Sequence, residues 1–147
     1  MRHETFARGM TLIELMLVVA IVAILASIAV PAYSRFVQQT NRSDATKTIH
    51  MAAQALERCY SRSFKYTACT VNGTVVKNGS TMQTPNQLYS ITFTIPDSQD
   101  YTLTALPVGA PQTSDSQCMR FMLSSTGEQL AQDVNVSDTT KPCWGSS

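Results

Sequence analysis

An apolar run from Met10 to Val30 carries one carboxylate, Glu14, near its start and is followed by Pro31. No other feature constrains the fold as strongly. In helical form, about 20 apolar residues span the ~30 Å hydrocarbon core of a bilayer. A carboxylate inside such a segment costs roughly 2.5–3.5 kcal/mol on insertion scales, so a charge placed there is usually held for a partner. A short polar leader with Arg2 and Arg8 precedes the run and ends at Gly9.

Three readings of this segment compete. A secretory signal peptide has a basic start, an apolar stretch and a small-residue site, here Ser27-Ile28-Ala29. The run is longer than a usual signal core, however, and Glu14 lies inside it. A plain membrane anchor accounts for the length and leaves Glu14 unexplained. Cleavage between Gly9 and Met10 explains the carboxylate. The new α-ammonium on Met10 then lies four residues before Glu14, and positions four apart share a helix face. The two charges neutralise each other within one chain or between neighbours. In a low-dielectric bundle such a pair fixes register even where it adds little net stability. Glu14 near a helix start also complements the macrodipole.

The residues Arg8-Gly9-Met10-Thr11-Leu12-Ile13-Glu14-Leu15 closely resemble the class III signal of type IV pilins and pseudopilins. The resemblance implies cleavage after Gly9 by a prepilin peptidase at the cytoplasmic face of the membrane, and N-methylation of Met10. Methylation keeps the charge, so the pairing survives it. Most relatives carry Phe where this chain has Met10. The chain then divides into a leader (1–9), a membrane and assembly half-helix (10–30), and the rest of the helix plus a globular head (31–147).

Pro31 removes one backbone donor and clashes with the carbonyl of Ser27, which predicts a kink. The alternative is that it ends the membrane helix. Tyr33, Phe36 and Val37 continue the apolar stripe and favour the kink. Related pilins often have a glycine eight or four residues before this proline; here Ala23 and Ser27 occupy those positions.

Further on, Ala45, Ile49, Ala52, Ala53, Leu56, Cys59 and Tyr60 recur at three- and four-residue spacing, one face of a helix reaching about Tyr60. Asn72-Gly73 and Asn78-Gly79 mark turns in a polar connector, with a small hairpin around residues 74–77. Tyr89, Ile91, Phe93 and Ile95 alternate with polar residues, as do Tyr101, Leu103 and Ala105, and then Met119, Phe121 and Leu123. The expected class is α+β: the type IV pilin fold, a long N-terminal helix packed on a three- or four-stranded antiparallel sheet.

Four cysteines beyond an export signal read as disulfides in an oxidising compartment. Three pairings are open, and local loops favour Cys59–Cys69 with Cys118–Cys143. The cysteines lack CxxC-type spacing and neither His3 nor His50 lies beside such a pair, so no metal is expected. A calcium site at Asp133 and Asp138 is the weaker alternative. No cofactor is expected either. Trp144 reads as a lid on the core or loop, with a contact hot spot as the alternative.

The function classes narrow in the same way. The chain has no nucleophile elbow, phosphate-cradling glycine loop or telling carboxylate pair, so it reads as non-enzymatic. Without residues 1–9 its basic and acidic side chains are equal in number, which gives no general pull on nucleic acid. Arg35, Arg42, Lys47, Arg58, Arg62 and Lys65 do make the lower helix basic. Solvation and subunit contacts are the preferred reading there, and DNA capture by an uptake pilus is the sharper alternative.

Leu88-Tyr89, Tyr101-Thr102-Leu103-Thr104-Ala105 with Pro107, Asp115-x-x-Cys118, Gly127 and Cys143-Trp144 look like PilE-type minor pilins. The resemblance implies a minor pilin polymerised through its N-terminal helix. Its partners would be other pilin subunits, the prepilin peptidase, the inner-membrane assembly machinery and, before assembly, membrane lipid. It would pass from the inner membrane of a Gram-negative bacterium into an extracellular filament. The alternatives are a major pilin, a type II secretion pseudopilin or a DNA-uptake pilin. Outside the class stands a secreted binding domain or enzyme with a conventional export signal.

Overall fold

A computed structural model describes residues 10–145. It forms two compact units, with the boundary between Phe36 and Val37. Helix α1, Leu12–Ser63, contributes to both.

In the first unit every described residue is exposed. Leu12, Ile13, Leu17, Ile24, Ile28 and Phe36 all lie open. A helix apolar on every side has no stable surface against water and needs lipid or other helices around it. α1 runs through Pro31 as one helix, so Pro31 does not end it. The proline ring nitrogen has no hydrogen to offer the Ser27 carbonyl. The Ser27 hydroxyl donates to the Ile24 carbonyl at 2.7 Å.

In the second unit α1 is one-sided. Ala45, Ile49, Ala52, Ala53 and Leu56 are buried, and the alanines let the helix lie close to a sheet. Cys59 and Tyr60 at the end of the stripe are half-buried. The helix continues three residues past Tyr60 and stops at Phe64, which takes φ +54° and donates its N–H to the Tyr60 carbonyl at 2.7 Å. This is the left-handed cap that glycine usually supplies. Ring contact with Tyr60, 6.2 Å between centroids, accompanies it.

Strands β1 (Thr70–Val71) and β2 (Thr74–Val75) form a hairpin turned by Asn72-Gly73, both at positive φ. That geometry matches the twist of paired strands, which is why Asn-Gly marks it. The hairpin therefore falls slightly earlier than residues 74–77. The main sheet is an antiparallel meander of β3 (Thr81–Gln83), β4 (Tyr89–Thr94), β5 (Thr102–Pro107), β6 (Arg120–Ser124) and β7 (Gln129–Gln132), in that order. It is wider than three or four strands because short β3 and β7 extend both edges. Neither shows clear alternation: β3 buries no residue fully, and β7 buries only Ala131.

One register row crosses all five strands: Met82, Ile91, Ala105, Phe121 and Ala131. From Ile91 onward large residues alternate with alanines along it, leaving room for the helix stripe. Phe93 and Leu103 extend the core in the next row. Short helix α2 (Thr140–Trp144) closes the far edge, where Trp144 Nε1 donates to the Leu130 carbonyl at 2.9 Å. The Trp144 ring meets Phe121 and His50 edge-on, so it is a lid on the core.

Disulfide Cys59–Cys69 ties the end of α1 to the connector, and Cys118–Cys143 ties the entry of β6 to α2. The second closes a loop of 25 residues in sequence. Replacing Cys118 and Cys143 together by serine should cost about 2–4 kcal/mol, because closing such a loop restricts the unfolded chain. Denaturant unfolding of the detergent-solubilised chain measures it, and an unchanged midpoint would show that α2 holds without the bond.

Candidate functional site

The start of α1 is built by its second described residue. Thr11 precedes the first helical residue, and its Oγ1 accepts the Glu14 N–H at 3.3 Å. The Leu15 N–H donates to the Thr11 carbonyl at 3.2 Å. Thr11 is thus the N-cap and Glu14 stands three residues into the helix, the spacing of a capping box. Thr-x-x-Glu is legible in the sequence as that signature. Met10, just ahead of the helix, and Glu14, on its first turn, are both exposed. Gly9, the other half of the expected cleavage site, lies outside the described residues, as do Arg2, His3 and Arg8.

The cations of the lower helix separate into two kinds. Arg42 is committed. Its Nε donates to Asp115 Oδ2 at 2.7 Å and its Nη2 to Asp115 Oδ1 at 2.9 Å, with Gln117 Oε1 at 3.1 Å. Asp115 also accepts the backbone N–H groups of Gln117 and Cys118. The fork-to-fork geometry is the strong form of this pair, and it joins the helix to the loop before β6. Arg35, Lys47, Arg58, Arg62 and Lys65 remain exposed.

Beside the pair, buried Gln112 donates to the Tyr89 hydroxyl at 2.7 Å and to the Gln38 carbonyl at 3.2 Å. Burial raises the Tyr89 phenol to about 12, with the Gln112 hydrogen bond partly opposing it. Near the other end of the helix stripe, Glu57 accepts hydrogen bonds from the hydroxyls of Tyr66, at 3.0 and 3.2 Å, and Tyr101, at 2.9 Å. Burial first, and then the Glu57 carboxylate, push Tyr66 up to about 12; the same causes raise Tyr101. Glu57 itself is exposed. Its tyrosine partners come from the connector and from the residue just ahead of β5, which local periodicity does not reveal.

The aspartates weighed for calcium serve their own loop. Asp133 Oδ1 accepts the Asn135 and Ser137 N–H groups, and Asp138 Oδ1 accepts both the N–H and the hydroxyl of Thr140. Those hydrogen bonds hold the Asp138 carboxyl below its ordinary value. Among the described residues no three acidic, histidine or cysteine side chains gather as metal ligands.

A helix long and apolar enough to cross a membrane, joined to a small antiparallel head on its one-sided half, defines the class as a type IV pilin subunit. Family comparison agrees. Residues 6–30 match the prokaryotic N-terminal methylation motif. Residues 31–122, more than half the chain, match the family described as type IV minor pilin ComP, DNA uptake sequence receptor, and the chain belongs to that family.

Curated relatives are pilins too. The type IV major fimbrial protein FimA of Dichelobacter nodosus is 35% identical over 71 residues, 48% of this chain and 44% of its own. The type IV major pilin protein PilA of Myxococcus xanthus is 41% identical over 59 residues, 40% of this chain and 27% of its own. Fimbrial protein EcpC of Eikenella corrodens is 38% identical over 79 residues, 48% of this chain and 52% of its own. The chain spans about half or less of the length of these relatives.

Two outcomes test the head's polar anchors. Asp115→Ala leaves the Arg42 guanidinium, whose side chain is only 12% exposed, without its anion. It should destabilise the fold by about 3–5 kcal/mol in urea unfolding, since breaking a mostly buried pair strands a charge. The fold holds Tyr89 and Tyr66 as neutral phenols, with values raised above 10. That stabilisation is complete below about pH 10 and is lost as pH rises through about 12. Phenolate absorbance should show these two tyrosines ionising late, together with alkaline unfolding.

Proposed function

We propose that this pilin is a minor subunit, cleaved after Gly9, N-methylated at Met10 and polymerised through the apolar half of α1. The observation that carries the reading is the helix surface from Leu15 to Val30, exposed and without a charged residue on any side, continuous with a helix that buries only one stripe in its head. Before assembly the apolar half would sit in the inner membrane; in the extracellular filament it would sit among the same halves of other pilins. Prepilin peptidase and the inner-membrane assembly machinery are the partners this route requires. Pro31 supplies a kink by depriving Ser27 of its helix donor. The role is structural, and the head offers no catalytic constellation among its described residues.

In this reading the Glu14 carboxylate is the partner of the Met10 ammonium, on the same or a neighbouring chain. Glu14→Ala should be cleaved as the parent chain is, yet fall at least about tenfold in sheared filaments, the effect of losing more than about 1.4 kcal/mol of assembly free energy. Mass spectrometry of the membrane and filament fractions reads both. Parental incorporation would defeat the charge pairing, and dominance of this chain in the filaments would make it a major pilin.

A second reading, the DNA-uptake pilin, is favoured by the family match across residues 31–122. Exposed Arg58, Arg62 and Lys65 supply cations for phosphates. On that reading, deleting the chain lowers DNA uptake while filament number stays constant. Unchanged uptake would leave the structural role alone.

A further inference from the structure

We propose that, before assembly, α1 crosses the bilayer with residues 15–34 in the hydrocarbon, so that Glu14 lies at one interface and Arg35 meets lipid headgroup phosphates at the other. The proposal rests on the reading of the apolar half-helix as membrane-embedded, and it fixes a depth which that reading leaves open.

Charge sets the limits. From Leu15 to Ser34 the chain has 20 residues without a charge, and Glu14 and Arg35 bracket them. All of them belong to α1, which is unbroken here. At about 1.5 Å per residue they span ~30 Å, the thickness of the hydrocarbon core. The Ser27 hydroxyl donates to the Ile24 carbonyl at 2.7 Å, so it brings no unpaired donor into lipid.

The apolar run taken alone suggests another depth. Met10–Val30 is centred on Ala20. That centre leaves Glu14 about 9 Å from the midplane, some ~6 Å inside the hydrocarbon. Ile24 and Leu25 stand midway between Glu14 and Arg35. With those two at the midplane, Glu14 lies about 16 Å out, at the edge of the hydrocarbon, where a carboxylate stays hydrated.

The outer end carries the side chains that an interface favours. Tyr33 is 70% exposed, and its amphipathic ring suits the headgroup level. Arg35 is exposed, and among the described residues it has no salt-bridge partner. Its planar guanidinium can give two parallel hydrogen bonds to phosphate oxygens. The next charge towards the head is Arg42, which Asp115 already holds. At the other end Met10 stands four residues beyond Glu14, outside the hydrocarbon and open to a peptidase at the membrane face. On this placement Glu14 leaves water when the subunit enters the filament, not before.

Depth measurement tests this. A nitroxide is attached through p-acetylphenylalanine, which spares the disulfides, at single positions from Leu15 to Ser34 of the full chain. The chain is reconstituted in vesicles of phosphatidylethanolamine and phosphatidylglycerol. Collision with oxygen against collision with an aqueous nickel chelate gives the depth of each label. The deepest labels should fall within Ala23–Ala26, centred on Ile24 and Leu25. A maximum outside that range, as at Ala20, overturns the depth and leaves the membrane reading intact. Labels that the chelate reaches at every position overturn both. Tyr33→Leu with Arg35→Leu lengthens the uncharged segment, and the maximum should move towards the head by about two residues. An unmoved maximum in that variant overturns the headgroup contact.

Discussion

The head depends on one packing interaction, the Ala45–Leu56 stripe of α1 laid on the register row that crosses the sheet. Ile49, Leu56, Ile91 and Phe121 belong to it, Phe93 and Leu103 to the next row, and buried Tyr89 lies one row the other way. Alanines on both partners, at 45, 52 and 53 in the helix and 105 and 131 in the sheet, set how closely the two layers approach. Ile49, Leu56, Ile91 and Phe121 fill what remains. Enlarging an alanine here would push the layers apart, and shrinking a large residue would leave a void that neighbours fill only in part.

Polar anchors sit towards both ends of that stripe. Arg42 grips Asp115 at one, and Glu57 collects two tyrosine hydroxyls at the other. The anchors are 15 positions apart, about 22 Å along a helix. Apolar packing alone tolerates sliding, because one methyl group replaces another at little cost. Directional bonds to buried partners do not, since a slipped helix would strand a charge or a phenol. The pair of anchors therefore fixes the register of helix on sheet. The two disulfides then secure segments with little core of their own, the connector after α1 and the tail around α2.

Much of this was legible in the chain. The helical stripe, the three alternating strands and the Asn72-Gly73 turn each follow from a local period or from one residue's conformational freedom. What stayed hidden was non-local. Asp44 and Thr48 lie within the buried stripe as polar residues, where a periodicity count passes over them. Arg42 looked like one more surface cation until the fold brought Asp115 to it from the other half of the chain. The edge strands are short, and the exposed Leu130 of β7 gives an alternation that points the wrong way. At the helix start, Thr11 with Glu14 three residues on is a capping signature that the sequence itself carries.

The Thr11 cap has a consequence for where the chain begins. Helix geometry starts at Leu12, so a chain released after Gly9 would carry only Met10 and Thr11 ahead of it. There would be almost no slack. Met10 and Thr11 lie ahead of the helix, so their short span sets how far a new amine could stand from the Glu14 carboxylate. If the two charges pair as proposed, a leader removed one residue early or late would change that reach by one residue. The Thr11 cap, by fixing where the helix starts, would then tie the pairing to the point of cleavage.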